Sequence, residues 1–162
     1  MITAAQGWLD GTDSGLFVLL AEEAVEGWEG CQEAVVETAG DYAAAHPVPG
    51  REAVLVLGGE PLPIGWLPEE RVFVRPLLFD CSDDVRPLVR EALRSGTWED
   101  GPVLELTAGR YLLTDVFHDG PDALENGEYL TVDLPPGRYL VRSLKAEPER
   151  WEEFHLERLL PR

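Results

Sequence analysis

The first fifty residues of this chain contain no lysine and no arginine. Cysteine is almost as scarce: Cys31 and Cys81 are the only two, with no CxxC spacing. That excludes a disulfide framework and a zinc site, and both read as free thiols. The three histidines, His46, His118 and His155, stand far apart, and no HExxH is present. No metal or cofactor is therefore expected. Long apolar runs are missing too. Near the N-terminus the longest, Leu16 to Ala21, has six residues, far short of a bilayer span, and no basic residue precedes it as in a secretory signal. A cytoplasmic location is expected.

Catalytic signatures are equally scarce. There is no nucleophile elbow, phosphate loop or dinucleotide fingerprint. Gly58-Gly59-Glu60 follows an apolar run, but the prolines after it deny it the helix N-terminus that binds an anion. A structural turn is the plainer reading. His118, beside Asp119 and Asp122, is the one candidate general base. In a loop so rich in Gly, Pro and Asp, a solvated histidine accounts for it better. The chain is expected not to be an enzyme.

What is present is negative charge. Thirty-one acids face thirteen bases, a net −18 over 162 residues. Nine of those acids fall in the base-free first fifty: Asp10, Asp13, Glu22, Glu23, Glu26, Glu29, Glu33, Glu37 and Asp41. Such a field repels nucleic acid and anionic membranes and steers a basic partner. The bland counterpart is solubility alone. Glu29, Glu33 and Glu37 would stack on one helix ridge at i, i+4, where like charges repel. Either the segment is a loop, or the ridge serves a contact outside the monomer.

The central stretch runs from Ala53 to Asp80. Ala53 to Leu57 is short, apolar and rich in β-branched residues, which indicates a buried strand. Pro61, Pro63 and Pro68 follow, so Glu60 to Pro68 is expected as a stiff extended loop carrying Ile64 and Trp66. An aromatic on such a loop loses little entropy on binding, so Glu60, Ile64 and Trp66 are candidate partner contacts. Trp66 would serve equally as a core anchor. Val72 to Val74 then returns as a second strand. The alternation elsewhere predicts an α+β fold, a mostly antiparallel sheet of about seven strands in a single domain over 1–162. The main helix is expected over about 83–95, with Ser82 as N-cap and Pro87 in an early turn. Short helices are expected near 22–28 and 40–46. Trp8 to Leu20 reads as a hairpin about a Gly/Asp turn. Leu104 to Leu113 is echoed twenty-eight positions later by Val132 to Val141, each with Gly-Arg-Tyr at its centre. The pair reads as two hairpins of one sheet, separated by a polar loop from His118 to Gly127. The C-terminal segment 152–160 suits a closing strand or a short helix.

LVLGGEPLPIGWLP followed by VFVRPLLFD resembles the immunity protein 21 family of bacterial polymorphic toxin systems. GWLDGTDSGLFVLLAEEAVEGWEG, GDYAAAHPV, LPPGRYLVRS and FHLERLLPR are similar to it in the same order. Pro76 departs from the pattern, standing where family members carry an aromatic residue. The resemblance implies neutralisation of a cognate protein toxin by direct binding in the cytosol. Combined with the acidity, it suggests a basic, nuclease-like toxin surface, met by Glu29, Glu33, Glu37, Asp41, Glu60, Ile64 and Trp66. A small-ligand-binding β-rich module is the alternative.

Overall fold

A computed structural model describes residues 8–9, 15–30, 43–48, 50–58, 63–76, 86–149 and 152–162. Strands dominate. They are β1 (Trp8–Leu9), β2 (Phe17–Ala21), β3 (Ala43–His46), β4 (Val54–Leu57), β5 (Ile64–Leu67) and β6 (Val72–Pro76), then β7 (Glu99–Leu106), β8 (Arg110–Asp115), β9 (Tyr129–Asp133), β10 (Gly137–Glu149) and β11 (Glu152–Pro161). A 3₁₀ helix η1 (Glu22–Gly27), a helix α1 (Arg86–Ser95) and a shorter helix α2 (Gly120–Asn126) complete the described elements. The expected α+β class with mostly antiparallel strands is what is found, but the strands among the described residues are eleven and form two sheets. The six-stranded sheet has the order β1-β5-β6-β11-β10-β7, and the five-stranded sheet β3-β4-β2-β8-β9.

Period-two alternation sorts the side chains into layers. Phe17, Leu19, Leu55, Leu57, Phe73, Leu104, Leu113, Val132 and Val141 point between the sheets and form the central core. The alternate residues of β2, β4 and β8 (Val18, Leu20, Val56 and Leu112) bury on the outer side against Val25 of η1 and Leu124 of α2. On the opposite outside, Val72, Val74 and Leu156 bury against Val89 and Ala92 of α1, with Trp8 beside them. Strands covered on both faces must be apolar throughout, which is why FVLL and VLVL show no polar alternation.

Several local expectations give way to tertiary pairing. Trp8 to Leu20 is not a hairpin: β1 pairs with β5 in one sheet and β2 lies between β4 and β8 in the other. An all-apolar strand such as β2 is stable only where both faces and both edges are covered. The helix expected near 40–46 is, over Ala43–His46, an edge strand on β4. Four residues cannot repay helix nucleation, so the alanine propensity loses to an open strand edge. β4 and β6, the two strands of the central stretch, belong to opposite sheets and meet only across the core. The described helix α1 begins at Arg86 with Pro87 in its first turn, where the missing N–H costs nothing. Ser82, as its N-cap, lies outside the described residues. The 3₁₀ helix agrees with the short helix expected near 22–28, and 152–160 is a strand.

The repeated segments are corners rather than hairpins. In the first, β7 of the six-stranded sheet turns through 107–109 into β8 of the five-stranded sheet, and in the second β9 turns back into β10. Each corner's strands pair with those of the other. Tyr111 opposes Val132 and Arg110 opposes Asp133, as Tyr139 opposes Leu104 and Arg138 opposes Glu105. The pairing thus has a pseudo-two-fold relation that the twenty-eight-residue spacing encodes. Each repeated tyrosine is buried and ties its own turn. The Tyr111 hydroxyl accepts from the Ala108 N–H at 3.1 Å, and the Tyr139 hydroxyl donates to the Pro135 carbonyl at 2.6 Å.

Candidate functional site

The outer layer over the five-stranded sheet is built from two short helices that could not stand alone. The 3₁₀ helix η1 has no side-chain cap and buries only Val25. It is held by its neighbour α2, whose ends are well specified. Asp119 is the N-cap, its carboxylate accepting from the Asp122 N–H at 2.8 Å; Pro121 sits in the first turn, and Gly127 closes the helix at φ 67°. The two are locked by backbone contact. The Gly120 N–H donates to the Trp28 carbonyl at 2.8 Å, and a Cβ at Gly120 would fall 1.5 Å from the Val25 carbonyl oxygen. Only glycine allows that approach. Gly30, at φ +85°, lies against the Phe117 carbonyl, where a Cβ would stand at 2.9 Å.

This platform carries one sign of charge. Glu22, Glu23 and Glu26 on η1, Glu29 beyond it, Asp122 and Glu125 on α2, and Glu128 after it are exposed, and Asp119 is half-buried. The segments 22–30 and 115–128 hold no lysine or arginine to balance them. The cations nearby are partly engaged. Arg110 bonds Asp133 at 3.0 Å, and that hydrogen bond, the Asp133 charge and Glu22 hold its guanidinium above its ordinary pKa. The His118 Nδ1 lies 2.9 Å from a Glu128 carboxylate oxygen. Phe117, 52% exposed, stands in the turn that leads into α2, its carbonyl against Gly30.

Of the residues singled out by sequence, Glu29 stands exposed on this platform. Glu33, Glu37, Asp41 and Glu60 lie outside the described residues, as does the choice between loop and helix for 29–38 beyond Gly30. Ile64 and Trp66 require a correction. They sit not on a proline-stiffened loop but in β5, between β1 and β6, and both are buried. Trp66 packs on Phe73 with ring centroids 4.5 Å apart, in the central core. The prolines only flank the strand: Pro63 precedes it and Pro68 follows it, so no ladder donor is lost within it. Gly65 between them leaves room for the Trp8 indole, whose atoms lie 3.1 Å from where a Cβ would be.

Sequence reasoning missed α2, taking 118–127 as a polar loop. The signal was available: an Asp N-cap, a proline in the first turn and a glycine at the end are start and stop marks of a helix. With α2 missed, Asp122, Glu125 and Glu128 were not joined to the N-terminal acids, and Phe117 was not noticed.

Two other places carry chemistry. Arg75, Glu157 and His155 are buried between the sheets, where the Arg75 guanidinium bonds a Glu157 carboxylate oxygen and the Gly58 carbonyl of the opposite sheet. Burial pushes the Glu157 carboxyl above the ordinary carboxylate range, and Arg75 opposes that shift. The pair links β6 and β11 to β4 and has no exposed atom to meet a substrate. On the surface, a cavity of about 50 Å³ is lined by Leu20, Ala24, Trp28, Arg51, Val54 and Tyr111. Small-molecule sites occupy roughly 300–1,000 Å³, so this one does not favour the small-ligand alternative. Among the described residues no group of His, Cys, Asp and Glu could hold a metal ion, and no helix is long and apolar enough to cross a membrane.

Comparison with known proteins gives one finding. The family model for immunity protein 21 matches residues 7–151. No curated protein and no solved structure matches the chain.

Proposed function

The chain belongs to the immunity protein 21 family, and from that premise we propose that it neutralises a cognate toxin by direct, stoichiometric binding to a basic, nuclease-like surface. The observation that carries this is the acidic excess of one outer layer, met only in part by Arg110 and His118. Glu22, Glu23, Glu26 and Glu29 lie on and just beyond η1, Asp119, Asp122, Glu125 and Glu128 on and beside α2, and the two helices meet with no lysine or arginine in either segment. Retaining so many like charges destabilises the isolated monomer slightly, and a cationic partner removes that repulsion on binding. Glu33, Glu37, Asp41 and Glu60, outside the described residues, are proposed as further acidic contacts of the toxin. Ile64 and Trp66, being buried, act through the core that supports the sheets and not as contacts. Inhibition needs no catalytic group on this chain; occupancy of the toxin suffices.

The test is stopped-flow association with the purified cognate toxin domain. Association should slow as salt rises, because screening shortens the field to about 8 Å at physiological ionic strength. Dissociation should change much less. Changing Glu29, Glu33 and Glu37 together to Gln should reproduce part of the slowing at low salt and add little at high salt. A rate indifferent to salt and to the substitutions would leave the charge as a solubility device and remove the basic partner.

A further inference from the structure

We propose that Phe117 is the anchor of the interface, an exposed ring on which an arginine side chain of the basic toxin stacks while the surrounding carboxylates take its charge. This rests on the neutralisation reading above and names the point of contact within it. A singly exposed apolar side chain is ordinary; what distinguishes Phe117 is how firmly it is held. Its N–H donates to the Asp115 carboxylate at 2.8 Å. The next N–H, of His118, donates to the Asp115 carbonyl at 3.2 Å. Asp115 is itself buried, so a desolvated carboxylate is committed to shaping this turn. On one side the Phe117 carbonyl abuts Gly30; on the other, Asp119 caps α2 two residues later. The backbone that displays the ring is therefore fixed by three elements before any partner arrives.

A ring displayed on a fixed turn loses little freedom on binding, which is the property of an interface hot spot. The occupant follows from charge complementarity. The Phe117 turn adjoins Gly30, next to the exposed Glu29, on one side and runs into Asp119 and Asp122 of α2 on the other, so a purely apolar partner would cover those charges without compensation. A guanidinium meets both demands: its plane lies on the ring face, and its edge donates to carboxylates. Arginine suits this better than lysine, whose ammonium is a strongly hydrated point charge.

The experiment uses the full chain and the cognate toxin domain, with dissociation followed by surface capture and folding checked by thermal melting. Phe117→Ala and Phe117→Leu should each leave the melting temperature nearly unchanged and speed dissociation by about tenfold, while Phe117→Trp should equal or slow it. If Phe117→Leu behaves as wild type and Phe117→Ala does not, the ring enters an apolar notch and the arginine assignment falls. If all three variants dissociate as wild type does, Phe117 is not the anchor although neutralisation stands. If the wild-type chain forms no complex with that toxin domain, the neutralisation reading fails and this inference fails with it.

Discussion

The two outer layers of this protein solve the same packing problem with opposite charge chemistry. Over the six-stranded sheet, α1 buries Val89 and Ala92 and balances its own surface. Arg90 lies 3.2 Å from a Glu70 carboxylate oxygen and 3.9 Å from one of Glu69, and Arg94 lies 2.5 Å from one of Glu91. Over the five-stranded sheet, η1 and α2 bury Val25 and Ala123 and carry no lysine or arginine of their own. Core burial explains the apolar face of each layer equally well. It explains nothing about the polar faces, where α1 reads as a solvated covering and the η1–α2 layer as a surface completed from outside.

The largest expected effect removes what both layers rest on. Trp66→Ala takes a buried indole out of the central core and should cost about 3–5 kcal/mol. Both layers should then melt together, a loss of stability visible by denaturant titration; a variant of wild-type stability with weakened toxin binding would restore Trp66 as a surface contact. Next comes a change aimed at one layer. Gly120→Ala drives a Cβ into the Val25 carbonyl, where 1.5 Å is available, and should cost at least the roughly 3 kcal/mol at the upper end of ordinary overpacking. Gly65→Ala on the other side meets only the Trp8 ring at 3.1 Å and should cost less, about 1 kcal/mol. Equal costs in urea titration would mean that η1 and α2 are not locked as described.

The shared interior has its own pH signature. Burial lifts the Glu157 carboxyl above its usual range, so above that range the folded chain holds a proton that the unfolded chain has released. Stability conferred by this group is therefore greatest at low pH and declines as pH rises from the ordinary glutamate range through the raised folded value. Glu157→Gln cannot titrate, so its stability relative to wild type should rise across that window. Paired denaturation curves at several pH values measure it, and a constant difference would refute the shift. The smallest effects compare the two surfaces directly. Changing Glu22, Glu23 and Glu26 together to Gln should slow toxin association severalfold at low salt, with stability within about 0.5 kcal/mol of wild type. Arg90→Gln with Arg94→Gln should also change stability by less than about 1 kcal/mol, as surface pairs do, and should leave association unslowed. Matching slowdowns from both sets would erase the distinction between the layers.

Much of this architecture was legible because it depends on local pattern. The apolar run Val54–Leu57, the amphipathic spacing of Leu88, Val89, Ala92 and Leu93, and the doubled Gly-Arg-Tyr motif each announce an element. Their partners were not legible. Trp8, Phe17 and Val54 are all strand residues, yet nothing within a five-residue window says that the first belongs to one sheet and the others to the opposite one. The repeats were visible but read as hairpins, because a glycine turn between two strands looks the same whether the chain folds back or turns a corner. For the candidate surface, composition revealed the acids of the first half. The acids of α2 belonged to a different part of the chain, and only folding put them beside η1.

By itself, then, the sequence determined the strand-rich α+β class, the excess of negative charge, the lack of a catalytic signature and, through collinear motifs, the family. These follow from residue chemistry and spacing, which survive without knowledge of contacts. Tertiary structure alone decided that Trp66 is core, that Ala43–His46 is a strand, that Arg75 and Glu157 meet between sheets, and that the Phe117 turn meets Gly30, beside Glu29, from a segment about ninety residues away. The physical reason is that burial and charge proximity are properties of three-dimensional neighbours. Strand pairing, a long-range interaction, chooses those neighbours; local propensity has little part in the choice.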